Sequence, residues 1–131
     1  MSNRFTLCQI VRSADTKACK IASKWYTSNM TSSQSINQTI NYQKGSVVSK
    51  EIVNKPTGTI TLFAFDKDQG LSEHTAPYDA FIIVTDGIAE ITVSGVKHKV
   101  KTGEMLLMPA KSPHSLKAIQ SFKMTLTMIK S

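Results

Sequence analysis

From residue 36 onward, apolar side chains recur at every second position, and no stretch keeps the three-to-four-residue spacing of a helix. TITLFAF, residues 59–65, sets Thr59, Thr61, Phe63 and Phe65 against Ile60, Leu62 and Ala64. Both sets are apolar enough to predict a strand covered on two sides. VVSKEIV precedes it across NKPTG, whose Pro and Gly signal a turn. FIIVTDG is followed by IAEITVSGVKHKV, which predicts a hairpin turning at Ser94 and Gly95. GEMLLMP and FKMTLTMI supply two more strands, the last with Phe122, Met124, Leu126 and Met128 on its apolar side. Those methionines, with Met105 and Met108, are expected to be flexible core fillers. Short strands separated by tight turns predict an all-β sandwich or small barrel.

The first 35 residues break this pattern. TSNMTSSQS has little to bury, and CKIASKWY could form only a turn or two of helix. The expected organisation is a basic, low-complexity arm over residues 1–35 and one β-domain over residues 36–131. A basic, acid-poor start rich in Ser and Thr loosely resembles a transit peptide, but its amphipathic pattern is poor. A start of translation at Met30 is the plainer alternative.

A chain of 131 residues with 40% apolar and 19% charged residues fits a single globular domain with a real core. No apolar run approaches the roughly 18 to 20 residues needed to span a bilayer, and a cytoplasmic location is expected. Cys8 and Cys19 match no zinc spacing and are read as free thiols in a reducing compartment. Within residues 1–34, Arg4, Arg12, Lys17, Lys20 and Lys24 face Asp15 alone, so the arm carries +4 of the net charge of +7. That imbalance raises nucleic-acid or surface contact, but aromatic interleaving and recognition motifs are lacking, and nucleic-acid binding is the weaker reading. Lys97, Lys99 and Lys101 alternate with Val96, His98 and Val100, which predicts a solvated strand face, with His98 at the edge of the core. There is no G-x-S-x-G, phosphate-binding glycine loop, G-x-G-x-x-G or C-x-x-C.

Candidate chemistry rests on GLSEHTAPYDAFIIVTDG and PAKSPHS, which carry His74 and His114. Their spacing resembles the two motifs of the cupin superfamily, G-x5-H-x-H-x3or4-E-x6-G and G-x5-P-x-G-x2-H-x3-N. His74 takes the first histidine place, Ala76 the second, Ala80 the glutamate place and Gly87 the closing glycine. Gly103, Pro109 and His114 match the second motif, while Lys111 stands for its second glycine and Ala118 for its asparagine. The resemblance covers roughly residues 40 to 129 and implies a jelly-roll barrel that commonly holds iron, manganese, nickel or zinc through three histidines and a glutamate. The fold identifies a function less well than a site does. Two of the four implied ligand places here are alanines without a donor atom. Among the neighbours, Glu73 and Thr75 point away from the interior if His74 points in, unless a bulge re-aims Glu73. Tyr78 has the right parity but is a weak donor, and Asp79 follows Pro77 in a turn-like stretch.

Three functional readings follow. The first is a small-molecule-binding barrel with a depleted two-histidine site of weak or no metal affinity. Its ligand-binding residues are His74, His114, Tyr78, Ala76 and Ala80, and the alanines open space beside the imidazoles. The second is a metal-dependent enzyme, a dioxygenase or isomerase acting on a small acid or phenolic compound, with His74 and His114 as an incomplete set of metal ligands. The third is contact with nucleic acid or a surface through the basic arm. Both imidazoles could also be merely satisfied interior histidines. A homodimer is expected, with the two-sided apolar strand TITLFAF as the face to hide.

Overall fold

The computed structural model describes residues 32–130. The expected basic arm, with both cysteines, therefore lies outside the described residues except for its last four positions. After a single helical turn, α1 (Ile36–Thr39), nine strands follow: β1 (Val47–Lys55), β2 (Gly58–Phe65), β3 (Gly70–His74), β4 (Asp79–Asp86), β5 (Ile88–Val93), β6 (Val96–Lys101), β7 (Met105–Met108), β8 (His114–Ala118) and β9 (Phe122–Ile129). Every pairing is antiparallel. A five-stranded sheet in the order β1-β2-β9-β4-β7 faces a four-stranded sheet in the order β3-β8-β5-β6. The chain is thus the all-β jelly-roll barrel that its sequence predicts. Among the described residues, no helix is long and apolar enough to cross a membrane.

Strand alternation fixes which side chains meet inside. Phe65, Ile82, Val84, Ala89, Ile91, Ala118 and Phe122 are wholly buried, and they join Leu116, Met108 and Met124 in one cluster. Phe65 and Phe122, Cα partners across β2 and β9, stack with ring centroids 4.5 Å apart and planes 7° from parallel. This stack lies near the end of the barrel where β9 begins. At the same end, Asp66 accepts hydrogen bonds from the Gly45 backbone N–H and the Ser121 hydroxyl. The Gly45 N–H, the Lys67 N–H and that hydroxyl together hold the Asp66 carboxyl below the usual carboxylate range.

β2 is covered on both sides, as expected, but within the chain. Leu62 and Ala64 form a second cluster with Ile40, against which Tyr42, Val48 and Ile52 pack. Polar contacts strap this segment down. Asn37 donates to the Thr85 carbonyl, Tyr42 donates to Asp86, and Lys123 donates to the Asn37 carbonyl with its ammonium 4.9 Å from the Tyr42 ring centroid. Burial first, and the Asp86 carboxylate second, push the Tyr42 phenol pKa up. Leu62 and Ala64 on the outer side of β2 are therefore hidden within the chain. The exposed large apolar side chains include Ile83, Met105 and Leu107 on β4 and β7, and Ile129.

Two expectations need correction. Met105 is not a core filler but is 68% exposed, because alternation along edge strand β7 turns Leu106 and Met108 inward and Met105 and Leu107 outward. The one-turn helix α1 and strand β8 were not anticipated, each being four or five residues long. The hairpin at Ser94 and Gly95 forms as expected, both residues having positive φ (50° and 82°) between the paired Val93 and Val96.

Gly87 and Gly103 both have positive φ, of 80° and 86°. A Cβ on Gly87 would collide with the Ser121 carbonyl oxygen and stand 2.8 Å from the Phe122 Cα, whereas one on Gly103 meets nothing within 4 Å. Gly103→Ala is expected to lower stability by about 1 kcal/mol, the cost of the left-handed backbone alone. Gly87→Ala is expected to cost about 3 kcal/mol or more, because backbone must shift beside the aromatic stack. Urea denaturation of both variants checks this, and equal effects would refute the close-approach explanation.

Candidate functional site

The other end of the barrel gathers the loops between β3 and β4, β5 and β6, and β7 and β8. Backbone bonds tie them together: Lys111 N–H to the Ala76 carbonyl at 2.7 Å, and Ser94 N–H to the Pro113 carbonyl at 2.8 Å. The Asp79 carboxylate accepts from the Ala110 N–H at 2.8 Å. These bonds hold β3 and β8 side by side where their histidines emerge.

Leu71 on β3 is the Cα partner of buried Leu116, so it lies on the inner face. Plain alternation from Leu71 would turn Glu73 inward and His74 outward. The register instead slips by one between Leu71 and His74, a β-bulge that brings His74 opposite His114. The bulge thus aims the imidazole, not Glu73, which is exposed. The two rings stand 4.3 Å apart, centroid to centroid, in an edge-to-face arrangement of 69°. His114 is 5% exposed, whereas His74 is exposed at the rim.

Both rings are oriented by the same local device. His74 Nδ1 lies 2.7 Å from the Ser72 carbonyl oxygen, and His114 Nδ1 lies 2.9 Å from the Ser112 carbonyl oxygen. A carbonyl oxygen only accepts, so each Nδ1 carries the proton, and in the neutral rings both Nε2 lone pairs stay open. Each carbonyl belongs to the serine two residues before its histidine, in Ser72-Glu73-His74 and Ser112-Pro113-His114. This repeated Ser-x-His was legible in the sequence and its meaning was missed.

Ala80 is buried among the core side chains, with Met108 and Met128 as its Cα partners on either side. Ala76 contributes its carbonyl to the rim. The β4–β9 register pairs Ala80 with Met128 and Asp79 with Ile129. One step further, Tyr78 meets Lys130, whose ammonium lies 5.6 Å from the Tyr78 ring centroid. Alternation puts Tyr78 and Lys130 on the same side of the sheet as Ala80 and Met128, and Asp79 on the other. Lys130 was overlooked in the sequence, although counting parity along FKMTLTMIK from Phe122 reaches it. His98 faces the same interior but stands apart from the pair. It is half-buried opposite Ile91, on β6, with β5 between it and β8.

The four-ligand metal centre that the motif resemblance implies does not fit these residues. Positions 76 and 80 lack donors, and among the described residues no group of three or more His, Cys, Asp or Glu side chains could hold an ion. Catalytic zinc usually takes three protein ligands and non-haem iron two histidines with a carboxylate.

The sequence profile of the cupin domain matches residues 61–130. A conserved protein of unknown function from Streptococcus pyogenes is 30% identical over 81% of this chain and 95% of its own, with a TM-score of 0.76. A cupin 2 conserved barrel domain protein from Leptotrichia buccalis is 38% identical over 71% of this chain, with a TM-score of 0.69, and the match spans 45% of its length. Salicylate 1,2-dioxygenase from Pseudoaminobacter salicylatoxidans, at 18% identity and a TM-score of 0.60 over 63% of this chain and 26% of its own, shares the fold. No curated protein matches the chain.

Lys111, standing where the second motif has glycine, holds a φ of 68°. A left-handed backbone at a residue bearing a Cβ costs about 1–2 kcal/mol, partly offset on replacement by the extra freedom glycine gains in the unfolded chain. Lys111→Gly is therefore expected to raise stability by about 0.5–1 kcal/mol, while Lys111→Ala brings no gain. Thermal and urea unfolding measure both, and a gain for alanine as large as that for glycine would contradict the argument.

Proposed function

The chain is a member of the cupin domain family, and from that premise we propose a small-molecule-binding barrel whose two imidazoles anchor a polar guest without a resident metal centre. The observation that carries this reading is the paired rings, 4.3 Å apart, with both Nδ1 atoms engaged by backbone carbonyls. Two oriented hydrogen-bond acceptors thus stand together at the rim, the kind of polar anchor a small-molecule site uses. His74 and His114 are the anchors, Ala76 and Ala80 bring no competing donor atom, and Tyr78 forms part of the wall.

Two neutral imidazoles without a carboxylate leave the charge of a divalent ion uncompensated in an apolar interior. Affinity for iron, manganese, nickel or zinc is accordingly expected to be weak, and the metal-dependent enzyme reading lacks a third donor to support it. The same open Nε2 atoms suit hydrogen bonding to a guest directly.

A panel of small polar fragments, screened by ligand-observed NMR on chelator-treated protein, tests this. Fragments are expected to bind wild-type protein and to be lost, by about tenfold or more in affinity, from the His74→Ala plus His114→Ala variant, as removal of paired hydrogen-bond acceptors implies. Fragments that bind both proteins alike, or that bind only after a divalent metal is added, would sink the reading.

A further inference from the structure

We infer that the guest of this mouth is a small hydroxy-carboxylate, its carboxylate held by Lys130 and its hydroxyl donated to one of the open nitrogens of the His74–His114 pair. The inference rests on the proposed role of the mouth and adds the chemical class of what enters it. Its starting point is Lys130, next to the end of β9, whose ammonium stands 5.6 Å from the Tyr78 ring centroid. The backbone N–H of Lys130 donates to the Thr57 carbonyl at 2.8 Å, which fixes where the residue leaves the sheet. No carboxylate among the described residues forms an ion pair with it.

The acids nearest along the chain are otherwise disposed. Asp79 projects from the opposite side of β4 and spends one oxygen on the Ala110 N–H, and Glu73 is exposed in the bulge. Lys111, exposed on the loop bonded to Ala76, adds a second cation at the rim. Among the described residues, the interior side of the mouth therefore presents positive charge and hydrogen-bond acceptors, and neither Asp79 nor Glu73 is placed to neutralise the ammonium. A cation on an aromatic face keeps its charge while remaining free to take a carboxylate in its outer direction.

The two halves of the site face each other. The imidazoles rise from the four-stranded sheet, while Tyr78 and Lys130 rise from the five-stranded sheet. Packed sheets stand about 10 Å apart, so one compact molecule can reach both. Its two ends must differ in kind. The ammonium selects an anion, whereas a neutral Nε2 accepts only from a donor such as a hydroxyl. Between them, the Tyr78 ring offers a flat apolar surface suited to a planar or short aliphatic body.

Titration calorimetry of the full chain with 4-hydroxybenzoate, 4-hydroxybenzamide and benzoate, after chelator treatment, tests the assignment. The hydroxy acid is expected to bind about tenfold or more tightly than its amide, and several-fold more tightly than benzoate. Lys130→Gln should bring the acid-to-amide ratio near one, Lys130→Arg should preserve it, and His74→Ala with His114→Ala should abolish the preference for the hydroxyl. Equal binding of acid and amide to the wild type, an unchanged ratio in Lys130→Gln, or no binding of any probe at millimolar concentration overturns the inference. If charge proves irrelevant but the histidine substitutions still weaken the probes, the mouth is a binding site of another specificity. Indifference to both sets of substitutions overturns the site itself. Circular dichroism spectra matching the wild type confirm that each variant is folded.

Discussion

One extra residue in β3 decides the chemistry of the barrel mouth. Without the bulge between Leu71 and His74, alternation would place Glu73 opposite His114 and leave His74 in solvent. The interior would then hold an imidazole–carboxylate pair, in which the acid draws the ring toward its protonated form. With the bulge, two imidazoles face each other instead. Within the bulge, the Ser72 carbonyl oxygen accepts the Nδ1 hydrogen of His74. A single backbone irregularity thus sets both the position and the tautomer of the ring.

The rest of the barrel keeps that arrangement rigid by giving its two ends different chemistry. At one end the Phe65–Phe122 stack fills the interior and the Asp66 network closes the loops outside it. At the other, backbone bonds between loops stand in for side-chain packing, so the histidines sit on a frame that does not itself need to be apolar. The segment from Asn37 to Tyr42 clamps the outside of the five-stranded sheet through buried Lys123. An ammonium with so little exposure persists only because a carbonyl and an aromatic face replace its water.

Much of the fold was legible because alternation is written directly in residues such as those of TITLFAF and FKMTLTMI. The histidine pair was legible for a different reason: the spacing of Gly87, Gly103, Pro109 and His114 carries the backbone turns of the motif, and Gly87 is confined to glycine by the Ser121 carbonyl. What escaped was information that alternation does not hold. β3 reads GLSEH with every residue exposed, so no apolar period marks either the strand or its bulge. Met105 was taken for core because methionine is usually buried, but an edge strand at the end of a sheet has a face with nothing over it. Lys130 went unnoticed because its significance lies in the register that brings it to Tyr78.

The alanines at 76 and 80 change what the two histidines are for. With a carboxylate at position 80, the mouth would carry negative charge and its imidazoles would complete a cation site. With Ala80 buried between Met108 and Met128, the neighbouring surface is neutral and soft. The carbonyls of Ser72 and Ser112 engage the Nδ1 hydrogen of each ring. What is left on each histidine is an acceptor that no donor among the described residues meets. Such an acceptor at the rim is open to a donor that a guest brings. The alanines thus remove the donors of a cation site and leave two oriented acceptors beside them.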